Sequence, residues 1–129
     1  MIKDSKSAES LAKILSEALP YIQKFSGKIV VIKYGGSAMK ESKLRQNFAR
    51  DIALMRQIGI FPVLVHGGGP QIERNLKKSN IKSVFFDGLR KTDKNSIKII
   101  VKTLREVNRD IVELIKTWGA RTKTFNDVR

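Results

Sequence analysis

Two short β-branched runs, each closed by glycines and followed by a helical pattern, constrain the fold of this chain more than any other feature. Ile29-Val30-Val31-Ile32 is apolar at every position, and Phe61-Pro62-Val63-Leu64-Val65 repeats that character further along. A strand apolar on both faces reads as a buried member of a parallel sheet, because a half-solvated strand alternates. Pro62 is tolerable there because it falls at the strand start. Between the runs, Leu44, Phe48, Ile52, Met55 and Ile58 recur at three- and four-residue steps, which is one face of a helix. Ser42 is a candidate N-cap for that helix, and Gly59 is a plausible stop. Strand, crossover helix and parallel strand together predict an α/β fold with a mostly parallel sheet and flanking helices.

The other segments fit the same frame. Leu11, Ile14, Leu15, Ala18, Leu19, Ile22 and Phe25 predict an amphipathic first helix, capped by Ser7 or Ser10 and kinked at Pro20, where a backbone donor is lost. Gly27 breaks that pattern. After the second run, Pro70 is a good first helical residue, and Ile72 and Leu76 give a short helix its inner face. Val84-Phe85-Phe86 reads as a short strand. A long helix is expected after Thr92, with Ile97, Ile100, Val101, Leu104, Ile111, Leu114, Ile115 and Trp118 among its apolar positions and Gly119 at its end. The tail Arg121–Arg129 has little apolar pattern and is expected to be disordered. No internal repeat, low-complexity segment or obvious linker divides the chain.

Composition narrows the function classes. With 129 residues there is enough chain for one domain with a core. No apolar run approaches a membrane span, and the N-terminal residues lack the apolar stretch of a secretory signal. The chain has no cysteine and a single histidine, so no disulfide, thiolate site or protein-only zinc site is expected. The formal net charge of +14 admits a small nucleic-acid-binding domain, which a salt-dependent shift on DNA or RNA would reveal. However, Lys and Arg are scattered through every segment without a long like-charge run. The surplus therefore reads as a basic solvated surface, and a nucleic-acid partner is not expected.

The chemistry is concentrated in the two glycine turns, Tyr34-Gly35-Gly36-Ser37 and His66-Gly67-Gly68-Gly69-Pro70. Ligands of open α/β sheets bind outside the carboxyl ends of the strands. If the two strands are neighbours, both turns open on one crevice. There glycine lets the backbone approach a ligand and present its N–H groups, and the helix after each turn adds a positive dipole end. Lys33 lies beside the first turn. The set suits an anion, most simply a transferring phosphoryl group. Neither turn has the Walker or dinucleotide pattern, and taken singly a Gly-Gly pair is a tight turn and Lys33 a solvated strand-end lysine. Arg90, in Asp87-Gly88-Leu89-Arg90, is either a surface or capping arginine before the long helix or a bidentate clamp on a substrate carboxylate. His66 is read as structural within its turn, since transfer to a carboxylate needs no base.

These motifs, in order and at these intervals, resemble the N-acetylglutamate kinases of the amino-acid kinase family. The resemblance rests on Ile32-Lys33-Tyr34-Gly35-Gly36, Val65-His66-Gly67-Gly68-Gly69-Pro70, and Asp87-Gly88-Leu89-Arg90 with Thr92-Asp93, and it runs from about Ser10 to Ala120. It implies transfer of the γ-phosphoryl of ATP, with Mg2+, to the side-chain carboxylate of N-acetyl-L-glutamate in arginine biosynthesis. By resemblance, Lys33 stabilises the transition state and Gly35 and Gly36 form the turn that meets the phosphoryl. Gly68 and Gly69 bind the acetylated amino acid, and Arg90 holds its α-carboxylate. No metal-ligating residue is assigned. The resemblance divides the chain into residues 1–26, an amphipathic helix that joins copies into a homo-oligomer, residues 27–120, the N-terminal substrate-binding lobe, and a divergent tail, 121–129. The alternative for that helix is a simple amphipathic packing element. The expected compartment is the cytoplasm or a plastid stroma.

The departures are as informative. Members of that family are more than twice as long, and most of their ATP site, including a second catalytic lysine, lies in the C-terminal half. After Gly119-Ala120 they continue with an apolar strand and a Gly-Lys-Asp turn, where this chain reads Arg121-Thr122-Lys123-Thr124-Phe125. An interrupted copy, inactive alone, is therefore expected. The alternative is a non-catalytic remnant that binds an acidic amino acid or assembles with full-length subunits.

Overall fold

The computed structural model describes residues 4–125; the first three residues and the end of the tail, 126–129, lie outside the described residues. Helix α1 (Ser5–Phe25) is followed by strand β1 (Ile29–Tyr34), a 3-10 turn at Gly36–Met39, helix α2 (Ser42–Gln57) and strand β2 (Phe61–His66). Helix α3 (Gly69–Lys78), strands β3 (Val84–Phe86) and β4 (Leu89–Lys91) and helix α4 (Lys94–Lys116) complete the order. β1 and β2 pair in parallel from Ile29↔Phe61 to Tyr34↔His66, with α2 as the crossover. β3 and β4 form a separate antiparallel hairpin.

The core lies between one face of the parallel pair and helices α2 and α4. Tyr34, Ala49, Ile52, Val107, Ile111 and Ile115 are buried together, and Ile32, Phe48, Met55 and Leu64 pack against them. The α4 residues in that set recur every four positions, the spacing that places side chains on one helical face. Asp93 starts α4 with a reciprocal capping box. Its carboxylate accepts from the backbone N–H of Ser96 at 2.7 Å, and the Ser96 hydroxyl accepts from the backbone N–H of Asp93 at 2.9 Å. A second polar tie joins α3 to α4, where the Asn75 amide donates to the buried Thr103 hydroxyl at 2.9 Å.

The structure differs from the sequence reading in four places. The strands are covered on one face only: Ile29 and Val31 are 72% and 67% exposed. The physical reason is that both core helices pack on the face carrying Ile32, Tyr34 and Leu64. The caps also differ. Asp4, not Ser7 or Ser10, caps α1 by accepting from the Ser7 backbone N–H at 2.7 Å, while Ser42 is the first residue of α2 after Glu41. A carboxylate before the first turn serves that role as well as a hydroxyl and carries charge that suits the dipole. Arg90 lies in a strand rather than in a loop before α4. Asp87 and Gly88 both have positive φ, 50° and 76°, the backbone of a tight hairpin turn. Finally, α4 stops at Lys116, so Trp118 lies just beyond it.

Helix α1 runs through Pro20 and buries no residue. Its stripe of Leu11, Ile14, Leu15 and Leu19 is exposed. Arg121–Phe125 carry no regular secondary structure. No helix among the described residues is long and apolar enough to cross a membrane.

Candidate functional site

The parallel register places the two glycine turns side by side. Tyr34 and His66 are partners at the carboxyl ends of their strands, and the Gly67 N–H donates to the Tyr34 carbonyl at 3.2 Å. The condition attached to the two turns, that their strands be neighbours, is therefore met. A Cβ added at Gly35, Gly36, Gly67 or Gly69 would meet nothing within 4 Å, so the backbone at these positions borders open space. Gly36 has φ +63°, a conformation that side chains other than glycine rarely adopt. Gly68 differs: its missing Cβ would come within 2.9 Å of Leu104 Cδ2, so the absence of a side chain there lets α4 pack against the turn.

Polar contacts from neighbouring side chains tie down each turn. The Tyr34 hydroxyl donates to the Ala38 carbonyl at 3.1 Å, tying the 3-10 turn back to the strand end. The Tyr34 ring stacks on Phe48, with centroids 3.8 Å apart. Burial pushes the Tyr34 pKa up, against the opposing pull of Arg45, so the hydroxyl stays protonated as a donor. On the second turn, His66 Nδ1 lies 3.0 Å from the Gly67 carbonyl and Nε2 lies 3.2 Å from the Asn108 side-chain amide nitrogen. A carbonyl only accepts, so the proton belongs on Nδ1, and Nε2 accepts from Asn108. The ring thus bridges its own turn and α4, in keeping with a structural role.

Lys33 lies on the exposed face of β1, and its side chain makes no hydrogen bond or ion pair among the described residues, which leaves its charge available. Arg90 is not free. Its Nη1 donates to Glu73 Oε2 at 3.1 Å and to the Ser83 hydroxyl, and its guanidinium lies 4.6 Å from the centroid of the Phe85 ring. Glu73 lies one turn into α3, the helix that begins at Gly69, so the arginine is tethered to the element that carries the second turn. The hydrogen bonds from Ser83 and then Arg90 hold the Glu73 carboxyl below the usual glutamate range. Sequence reading missed Glu73, Ser83 and Asn108. No local pattern marks them, since each acts across the fold.

A cavity of about 840 Å³ runs along β2 and α4, lined by Val63, Val65, Leu104, Ile111 and Val112 together with Thr122–Phe125. It reaches His66 but none of the glycines of the two turns. The candidate site is therefore a cradle of backbone at the strand ends rather than an enclosed hole. Among the described residues, no group of three or more His, Asp or Glu side chains comes together to hold a metal ion.

The parallel strands, joined by a crossover helix, set two glycine turns and a lysine at the carboxyl ends of one α/β unit. Residues 28–126 match the amino acid kinase family, and the chain belongs to that family. Over the stretch they align with, relatives called acetylglutamate kinase are identical to it at about half of the positions. The protein from Aquifex aeolicus (strain VF5) is 53% identical over 84% of this chain and 37% of its own length. Those from Neisseria meningitidis serogroup C (strain 053442) and Stutzerimonas stutzeri (strain A1501) are 53% and 52% identical over 88% and 92% of this chain. The chain spans only 37–40% of the length of these relatives. In fold it is similar to N-acetylglutamate synthase from Neisseria gonorrhoeae complexed with coenzyme A and N-acetyl-glutamate. That likeness has a TM-score of 0.67 and 26% identity over 81% of this chain and 24% of the synthase. The same synthase complexed with coenzyme A and L-arginine matches with a TM-score of 0.61 and 25% identity, over 84% of this chain and 26% of the synthase.

Proposed function

We propose that this chain carries the N-acetyl-L-glutamate-binding part of an acetylglutamate kinase. In that reaction a side-chain carboxylate oxygen of N-acetyl-L-glutamate attacks the γ-phosphorus of ATP. The bond to the β-bridging oxygen breaks, ADP leaves, and an acyl phosphate forms with no proton to remove. The observation that carries the reading is the parallel register, which sets both glycine turns beside each other at the end of β1 and β2. Backbone N–H groups of the turns and the ammonium of Lys33 would meet negative charge on the transferring phosphoryl. Gly68, Gly69 and Arg90 would hold the acetylated amino acid, with the guanidinium on its α-carboxylate. Among the described residues no carboxylate cluster is placed to hold Mg2+.

The test joins these 129 residues to the segment that follows in the Aquifex aeolicus relative and measures N-acetylglutamate-dependent ADP release. In that chimera Lys33→Ala should lower kcat far more than it changes substrate KM. Arg90→Ala should raise the KM for N-acetylglutamate by the equivalent of about 2 kcal/mol, the loss expected for a charge-assisted pair. A kcat within a few-fold of the parent reduces Lys33 to a strand-end lysine, and an unchanged KM removes Arg90 from the site. The 129 residues alone should give no turnover, because phosphoryl transfer needs several groups positioned at once.

A second reading is favoured by the exposed stripe of α1. Helix α1 is a docking element that joins copies, or joins this chain to longer subunits, whether or not the chain is catalytic. Its support is that a long amphipathic helix leaves its apolar stripe exposed and buries no residue among the described ones.

A further inference from the structure

The β3–β4 hairpin has almost no apolar hold on the rest of the molecule. Val84, Phe85, Phe86 and Leu89 are 54%, 56%, 80% and 76% exposed, and none belongs to the core cluster. Arg90, by contrast, keeps only 17% of its side chain exposed. Its partners all lie in one small polar cluster. Glu73 Oε2 accepts from the Ser83 hydroxyl at 2.6 Å and from Arg90 Nη1 at 3.1 Å, and Ser83 bonds Arg90 in turn. One carboxylate oxygen of α3 therefore anchors both the start of the hairpin and its functional strand.

We propose that Glu73 is a positioning residue for substrate recognition, latching Arg90 and its hairpin onto α3 beside the Gly67–Gly69 turn. The proposal rests on the reading of Arg90 as the arginine that holds a substrate carboxylate. The geometry of the pair supports a latch rather than a competitor. Glu73 engages only Nη1, and among the described residues Nε and Nη2 make no hydrogen bond. Those two donors form the side-on edge of the fork, which can take a second carboxylate bidentately while Glu73 stays in place. The Phe85 ring under the guanidinium holds its plane. Because α3 begins at Gly69, any ligand that touches both the turn and Arg90 reads a distance that Glu73 sets. Small errors in such a distance weaken binding strongly.

Two measurements on the 129-residue chain test the latch. The first is the affinity for N-acetyl-L-glutamate of the parent, Glu73→Ala, Glu73→Gln and Arg90→Ala chains, by calorimetry. Glu73→Ala should raise Kd by about tenfold, the scale of one charge-assisted hydrogen bond, with the melting temperature unchanged. Glu73→Gln, whose amide oxygen can still accept from Ser83 and Arg90, should recover most of that loss. Binding equal to or tighter than the parent in Glu73→Ala, with Arg90→Ala still impaired, would make Glu73 a competitor and overturn the latch. Unchanged binding in Arg90→Ala would instead overturn the functional reading of that arginine. The second measurement is hydrogen exchange at Leu89–Lys91 without ligand. Glu73→Ala should speed exchange there and leave α4 protected. Equal exchange in parent and variant sinks the latch whatever the ligand results.

Discussion

Helices α1 and α4 are nearly the same length, 21 and 23 residues, and both are amphipathic, yet they have opposite fates. α4 buries Ser96, Thr103, Val107, Ile111 and Ile115 against α2, α3 and the parallel pair, whereas α1 buries nothing. The contrast shows what an apolar stripe does and does not specify. It dictates that one face must leave water, but not which surface covers it. For α4 the cover comes from its own chain, where Tyr34, Ala49 and Ile52 pack against Val107, Ile111 and Ile115. For α1, which precedes the first strand, the described residues leave the stripe exposed.

The sharpest way to break the comparison is to truncate one apolar residue on each helix. Ile111→Ala should cost about 3 kcal/mol of folding stability, as expected for a core cavity, and urea unfolding would show it as a lower midpoint. Leu15→Ala should leave that midpoint unchanged. A comparable loss at both positions would mean that α1 belongs to the core.

A second prediction concerns mass rather than stability. If α1 docks onto another subunit, changing Leu15 and Leu19 together to Lys should lower the molar mass in solution, read by light scattering. The urea midpoint of the monomer should stay within error. An unchanged mass would leave α1 as a solvated arm.

The smallest expected effect lies in the caps. Asp4 and Asp93 both accept backbone N–H bonds, and both carboxyls are held below the usual aspartate range by neighbouring hydrogen bonds, from Ser7 and Ser96 respectively. A depressed folded pKa means that each contribution is present above the ordinary value near pH 4 and is lost as pH falls through the folded pKa. Because α4 is part of the core and α1 is not, Asp93→Asn should soften the acid sensitivity of global unfolding. Asp4→Asn should alter only the helical signal of α1. Acid unfolding followed by circular dichroism at two wavelengths separates the two.

Much of the architecture was legible because local signals agreed. The β-branched runs, their closing glycines and the Ile72/Leu76 face of α3 each reappear where the pattern put them. Strand β4 was missed although Asp87-Gly88, a strong hairpin signal, stood between Phe86 and Leu89; a three-residue strand offers too little alternation to register. The half-open sheet could not be read at all. An apolar run reports what a strand could bury, and Ile29 and Val31 find no cover among the described residues. Of the site, the glycines, Lys33 and Arg90 were visible as motifs. The groups that hold them, Tyr34 on Ala38, Asn108 on His66 and Glu73 on Arg90, are tertiary contacts and carry no local signature.

The register from Ile29↔Phe61 to Tyr34↔His66 also has a kinetic side. Every bond in that ladder joins residues a whole helix apart along the chain, so the pair forms only once a loop around α2 has closed. The glycine turns become neighbours only when it closes. A ligand of the cradle therefore has nothing to bind in the unfolded ensemble, and its whole affinity favours the closed form. At a hundred times its Kd such a ligand would add about 2.7 kcal/mol to the stability of the fold. Occupancy of the site and integrity of the β1–β2 pair are thus one equilibrium.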